Sequence, residues 1–272
     1  MRVVELSDHP GALLRETRLR SDAAAQREQS RYEDALAQHH ARVQSVAQAR
    51  DQARAQHRWW AWLRGVFAAR KERRSAPAAP RVTGPPSDQQ EILLAGIEGE
   101  RLVAAGLGRV LDDDWTLIRG YRNLGGEIDH LLLGPRGLIA IEGKHRNATV
   151  HCAGDHWWYT KFDNYGHAVE RGEMTDRRGR SPSQQVNEPA GRLEDFLRSR
   201  GHPVPIQRFV LLTHPRSRVG SCLRPTVHIA TTTGQVINAL NGSTTALSGP
   251  ERAQLERLIV RDHRFHKSRR RS

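Results

Sequence analysis

Two short β-like runs, Glu127 to Leu133 and Leu138 to Lys144, carry the residues best suited to chemistry, and Gly134-Pro135-Arg136-Gly137 separates them. Glycine and proline in that arrangement mark a tight turn, so the two runs read as a hairpin. Centring the turn on Pro135-Arg136 sets opposite one another residues whose numbers sum to 271, which faces Asp129 with Glu142 and Glu127 with Lys144. Side chains alternate along a strand, so all four share one face. Directly opposed carboxylates have Cβ atoms ~4.5–5.5 Å apart and repel unless something positive lies between them. A divalent cation turns that repulsion into a binding site. Two hard oxygen donors on rigid strands, with water or phosphate oxygens completing an octahedron, suit Mg²⁺, with Mn²⁺ as a substitute.

Lys144 strengthens this reading. Only four of the 43 basic residues are lysines, at 71, 144, 161 and 267. A lysine two positions after Glu142, in a chain that otherwise uses arginine, points to a need for a compact ammonium rather than a planar fork. Beside a metal-bound water or a scissile phosphate it would orient the nucleophile or stabilise charge developing on phosphorus. The same residues also have a plain reading, as solvated positions on an edge hairpin with Lys144 paired to Glu127 or Glu142.

The elements that must hold this hairpin follow from local signals. Helix-forming sequence runs from about Gln89 to Leu107, and the acidic turn Asp112 to Asp114 leads into a short strand, Trp115 to Arg119. After the hairpin come strands at Thr149 to Cys152 and His156 to Lys161, then a glycine-rich, charged loop to Arg180. Ser181-Pro182-Ser183-Gln184 has the form of a capped helix start, predicting a helix to about Arg200. Arg208 to Thr213 and Thr226 to Thr231 read as strands, and short helices at Gln235 to Leu240 and Pro250 to Arg261 complete a mixed α/β domain.

At these residues the chain resembles the nuclease-related domain (NERD) family, a branch of the PD-(D/E)XK nuclease superfamily. The matching text is Gly96-Ile97-Glu98-Gly99-Glu100, Glu127-Ile128-Asp129-His130, Ile141-Glu142-Gly143-Lys144, the pair Trp157-Trp158, and Pro182-Ser183-Gln184-Gln185. It covers roughly Glu91 to Thr213. The resemblance implies a mixed sheet flanked by helices with an α-β-β-β-α-β core. It also implies Asp129 and Glu142 as metal ligands, Lys144 as the catalytic lysine, Glu100 as a helical acidic residue near the metal, and Gln185 as the helical glutamine lining the site. Gln184 is left free to cap its helix.

Charge gives a second line of argument. The 272 residues carry a formal net charge of +13, which calls for a polyanionic partner, nucleic acid (DNA first) or an anionic membrane surface. The excess lies outside the catalytic candidate. Asp88 to Val260 holds 21 basic and 20 acidic residues, whereas Gly11 to Arg74 holds 14 and 7, and Arg261 to Ser272 holds 6 and 1. The chain therefore divides into a basic helical segment at 1–74, of one long helix or two, a proline-rich linker at 75–87, a nuclease-like domain at 88–260 and a basic tail at 261–272. In the helical segment apolar residues recur with a coiled-coil spacing, interrupted by His39, Arg50, His57 and Arg64, and the segment is a candidate surface for homo-oligomers. Trp59 to Phe67, rich in tryptophan and arginine, suits an anionic membrane interface, docking against the domain, or a second subunit. Met1 to Pro10 lacks the apolar run of a secretory signal and no segment approaches a membrane span, so a cytoplasmic location is expected.

Two function classes follow. One is a Mg²⁺-dependent nuclease acting on DNA; the other is a non-catalytic nuclease-like scaffold that holds nucleic acid, membrane or a partner through its basic helix and tail. His130 and His145 lie off the carboxylate face and read as packing or surface residues. His151, Cys152 and His156 offer zinc ligands without a second cluster, and the Trp157 to Tyr159 aromatics suit either base stacking or the core. With two cysteines in all, a disulfide-rich scaffold is excluded.

Overall fold

A computed structural model describes residues 1–7, 9–80 and 88–268. Part of the proline-rich linker (Arg81 to Ser87) and the last four residues lie outside the described residues. In chain order the elements are β1 (Arg2–Glu5), α1 (His9–Ala55), α2 (Trp59–Arg74), α3 (Asp88–Gly108), β2 (Thr116–Asn123), β3 (Gly126–Gly134), β4 (Gly137–Lys144), β5 (Thr149–Ala153), β6 (His156–Phe162), β7 (Ala168–Glu173), α4 (Pro182–Ser199), β8 (Ile206–Leu212), β9 (Arg218–Leu223), β10 (His228–Ala230), α5 (Thr233–Asn241) and α6 (Gly249–Ser268). The chain forms two compact units, one of Met1–Leu13 with Glu91–Ser272 and one of Leu14–Gln90.

The first unit is built on a six-stranded mixed sheet in the order β1-β2-β3-β4-β8-β10. β2, β3 and β4 run antiparallel in sequence, whereas β4, β8 and β10 are parallel, as is the outer pair β1 and β2. Both faces of the sheet are covered, so its central strands are apolar on both sides. Leu131, Leu133, Leu138, Ala140, Val210 and Leu212 join one core, with Val186, Ala190, Leu193 and Leu197 of α4 and Leu255 and Ile259 of α6. The intervening Leu132, Ile139, Ile141, Phe209 and Leu211 face the other way, against Val103 and Leu107 of α3 and Val236 and Leu240 of α5. The apolar residues of α4 recur at intervals of four, three and four, the spacing of one helix face. Its start is the expected capping box: the Ser181 hydroxyl accepts from Gln184 N, and the Gln184 side chain accepts from Ser181 N.

The hairpin has the register that its turn predicts, with His130 against Ile141, Leu131 against Ala140 and Gly134 against Gly137. Gly134 is obligatory, since a Cβ there would lie 2.0 Å from the Trp115 ring. The ladder stops at His130–Ile141. β4 continues alone, paired with β8 through Glu142–Val210 and Lys144–Leu212. The expected opposition of Glu127 and Lys144 is therefore absent: Glu127 instead accepts from Arg122 and from the Ser7 hydroxyl.

A second sheet, β7-β6-β5-β9, packs Val150, Cys152, Trp157 and Tyr159 into the α4-side core. It resolves the aromatic run in favour of packing for Trp157 and Tyr159; Trp158 stays partly exposed, stacked with His151 and His156. The strand expected at Trp115 to Arg119 extends to Asn123, and β7 lies within what the sequence reads as loop. β1 and β9 are likewise unanticipated. The residues expected to begin a basic tail continue α6 as far as Ser268, with Asp262 and His263 buried.

In the second unit α1 and α2 are separated by a left-handed residue, His57. Arg42 and Glu72 form an ion pair, and Gly65 lies close against Arg50. Among the described residues of this unit only Leu14, His39 and Ala53 are buried, and no residue of α2 is.

Candidate active site at the diverging strands

The point where β4 leaves β3 is where the candidate residues meet. Asp129, Leu131 and Leu133 alternate onto the α4 side of the sheet, as do Leu138, Ala140, Glu142 and Lys144. With no ladder partner beyond Ile141, the space between the strands is bridged by Gly143 N, which donates to Asp129 Oδ2 at 3.0 Å. Lys144 Nζ donates to Glu142 Oε1 at 2.6 Å and to Gln185 Oε1 at 2.9 Å. Gln185 stands in the first turn of α4 and donates from Nε2 to Arg180 O at 2.8 Å, which fixes its amide with the oxygen towards the lysine.

Burial and like charge push the Asp129 carboxyl well above the usual carboxylate range: desolvation acts first, then Glu142, with a smaller push from Glu100, against the pull of Lys144 and of Gly143 N–H. Around Lys144, burial favours the neutral amine but is outweighed by Glu142, Asp129 and Asp176, so its pKa is raised. Two acids and a lysine thus share one corner, Glu142 buried and Asp129 and Lys144 half-buried.

Glu100 approaches from the other side of the sheet. Its carboxylate is held by Arg119 Nη2 at 2.9 Å, on the face that β2 turns towards α3. Among the described residues no group of three or more His, Cys, Asp or Glu is arranged to hold a metal ion. Asp129 and Glu142 meet at this corner, and Glu100, whose carboxylate pairs with Arg119, lies near enough for its charge to act on Asp129. Gly99 lets α3 come this close, since a Cβ there would meet His145 and Thr213 at 3.0 Å. His130 points to the α3 side, buried, its Nε2 3.3 Å from Glu100 O, and burial followed by the charge of Arg119 draws its pKa down to about 3. His145 lies beside Thr213 and His214, and His151 and His156 flank Trp158. Cys152 pairs in register with Cys222 on β9.

The corner opens into a cleft of about 570 Å³ whose lining includes Asp129, Glu142, Gln185, Asp176 and four arginines, Arg122, Arg177, Arg178 and Arg180. Sequence reasoning misses the Asp176–Arg180 segment, which it reads as loop. The signal present is Asp-x-x-Gly, an Asx turn in which a short acidic side chain caps backbone N–H groups two and four residues on. Asp176 Oδ1 does so, accepting from Arg178 N at 2.8 Å and Arg180 N at 2.9 Å.

A helix, an antiparallel hairpin that opens into a parallel pairing, and a helix whose first turn supplies an amide to the strand lysine define a nuclease-like α/β domain of the general PD-(D/E)XK kind. Residues 95–213 match the family model of the nuclease-related domain, and the chain carries a NERD domain over that span. No curated protein and no solved structure matches the chain. Among the described residues no helix is long and apolar enough to cross a membrane.

Proposed function

We propose that the NERD domain is a metal-dependent phosphodiesterase acting on nucleic acid, with DNA as its first candidate substrate. The observation that carries this is the gathering of Asp129, Glu142, Lys144 and Gln185, of which Asp129, Glu142 and Gln185 line an arginine-rich cleft and Lys144 is held by the last two. Nucleases of the PD-(D/E)XK kind typically use divalent metals. The donor chemistry fits, because two hard carboxylates are held together at an electrostatic cost that a divalent cation would relieve. Asp129 and Glu142 would hold it, Mg²⁺ or in its place Mn²⁺, and when bound it supplies Lewis acidity and an activated water.

The chain's own residues do the rest. Gly143 N–H orients the Asp129 carboxylate, and Gln185 and Glu142, which line the cleft, hold the Lys144 ammonium between them. There its positive charge is placed to stabilise the charge that builds on phosphorus and its oxygens as a nucleophile adds. Gln185 acts on this lysine as a positioning residue, its own amide anchored by Arg180 O.

Plasmid and linear DNA incubated with the protein and Mg²⁺ or Mn²⁺ test this. Cleavage is expected, and Lys144→Ala should lower the single-turnover rate by roughly 10²- to 10³-fold, the scale of losing one preorganised charge-stabilising group. Cleavage that persists in Lys144→Ala, or none with either metal, counts against it. The competing reading, a non-catalytic scaffold, draws on one observation: Glu142 and Glu100 are already ion-paired, to Lys144 and Arg119. Calorimetry with Mg²⁺ and Mn²⁺ separates the two. Metal affinity abolished by Asp129→Ala favours the enzyme; no affinity, together with salt-dependent DNA binding unaffected by Asp129→Ala, favours the scaffold.

A further inference from the structure

Four arginines line the cleft, and they are not equivalent. Arg122 is paired with Glu127, and Arg180 with Asp176 and Glu188. Arg177 and Arg178 are exposed, and no ion pair joins either to a carboxylate among the described residues. They sit at the tip of a turn that is held from several directions. Asp176 N donates to Arg180 O and Gly179 N to Asp176 O, both at 2.9 Å, and Gly179 takes a φ of +76°, which suits glycine. The Asp176 carboxylate ties down two backbone N–H groups, and Arg180 Nη1 donates to Gly125 O at 2.8 Å, anchoring the turn to the β2–β3 connection. The same Arg180 carbonyl receives Gln185 Nε2, whose other end holds Lys144. One continuous set of hydrogen bonds therefore fixes the tip in register with the lysine of the candidate site.

Two guanidinium groups with no ion pair among the described residues, on a turn that lines the same cleft as the carboxylate pair, suit a ligand that carries further negative charge beside its reacting centre. We propose that Arg177 and Arg178 grip backbone phosphates flanking the phosphodiester presented to Lys144, so that the site takes a polynucleotide strand rather than an isolated diester. The identity of the polyanion rests on the nuclease reading; the grip itself does not. Guanidinium suits this task because its planar fork matches phosphate oxygens in pairs. The paired Arg180 builds the turn, and the unpaired Arg177 and Arg178 meet the ligand.

The test uses the full chain and the double variant Arg177→Ala/Arg178→Ala. Binding of a fluorescent DNA oligonucleotide, followed by anisotropy in EDTA across a salt series, should show a log–log slope shallower by about 2 than in the wild type, about 1 for each phosphate that is no longer neutralised. In Mg²⁺ the KM for the oligonucleotide should rise about tenfold, while hydrolysis of bis(p-nitrophenyl) phosphate, which has no flanking phosphates, is unchanged. Arg192→Ala, removing an exposed arginine of α4, should leave the slope as in the wild type. An unaltered slope in the double variant, an equal drop with Arg192→Ala, or a parallel loss on the small diester overturns the proposal. If the wild type hydrolyses neither substrate, the nuclease reading fails, and the salt slope alone decides the grip.

Discussion

The sheet-based unit and the helical unit use opposite physics. In the first, alternate strand residues enter two apolar cores, one on each face, and charged groups that go inside do so in pairs. In the second, α2 buries nothing, and Trp59 and Trp60 are 71% and 79% exposed among arginines. Its helices rest on propensity and a few ion pairs, as its alanine-, arginine- and glutamine-rich composition suggests. Both units carry excess positive charge, 28 basic against 22 acidic residues in the sheet-based unit and 15 against 8 in the helical one. The contrast lies in burial, since only the first has packing that can offset the desolvation of two carboxylates and a lysine.

The largest expected effect on stability lies in the packed unit. Leu193→Ala, in the fully buried face of α4, should lower the unfolding free energy by about 2–5 kcal/mol in urea denaturation. A shift below about 1 kcal/mol would mean that the α4 layer is not a packed core.

A smaller effect is expected at His263, where Arg122 N donates to Nδ1 at 3.1 Å, so the native state needs this ring nitrogen unprotonated. Burial first, then the charges of Lys267 and Arg122 against that of Glu127, lower its pKa. A lowered folded-state pKa means that the unfolded chain binds the proton more readily. The stabilisation is thus fully present above the unfolded value of about 6.5 and is lost as pH falls below it. The melting temperature of His263→Gln should decline less than that of the wild type between pH 7 and pH 5; parallel declines would remove this residue from the account. Least of all should be felt at Trp60→Ser, within about 0.5 kcal/mol, since the side chain is not packed. A loss several times larger would show the aromatic face of α2 to be part of a core after all.

What could be read from the sequence tracks how local its cause is. The turn at Pro135-Arg136 and its flanking glycines set the hairpin register, and the Ser181–Gln184 box set the start of α4, because each is decided within four residues. Asp129 and Glu142 lie just past the last pair of that register, yet Glu127 and Lys144 do not meet, because β3 and β4 part after His130–Ile141 while β4 keeps its parallel partner β8 from Leu138 to Lys144. No pattern in the hairpin announces that departure. β7 and β9 are almost wholly exposed and β1 is four residues long, so none shows the alternation that reveals a strand. Glu100 is legible as an acid on a helix, whereas its engagement by Arg119 depends on the face that β2 presents to α3.

The four-residue strand β1 bears on the chain's modular architecture. Arg2 to Glu5 lie along β2 and form that edge of the main sheet, and the Met1 ammonium reaches Leu111 O at 3.1 Å, before the chain departs into α1 and returns at Glu91. The helical unit is thus an insertion with two tethers rather than an appendage with one. A chain shortened to begin at Asp88 would lose more than its basic helices; it would leave β2 as a bare edge, open to pairing with another molecule. Excising residues 14–90 and joining the ends with a short flexible linker keeps that edge closed. Because closure entropy grows only with the logarithm of loop length, about 0.6 kcal/mol for each doubling, the domain tolerates an insert of this size at little thermodynamic cost.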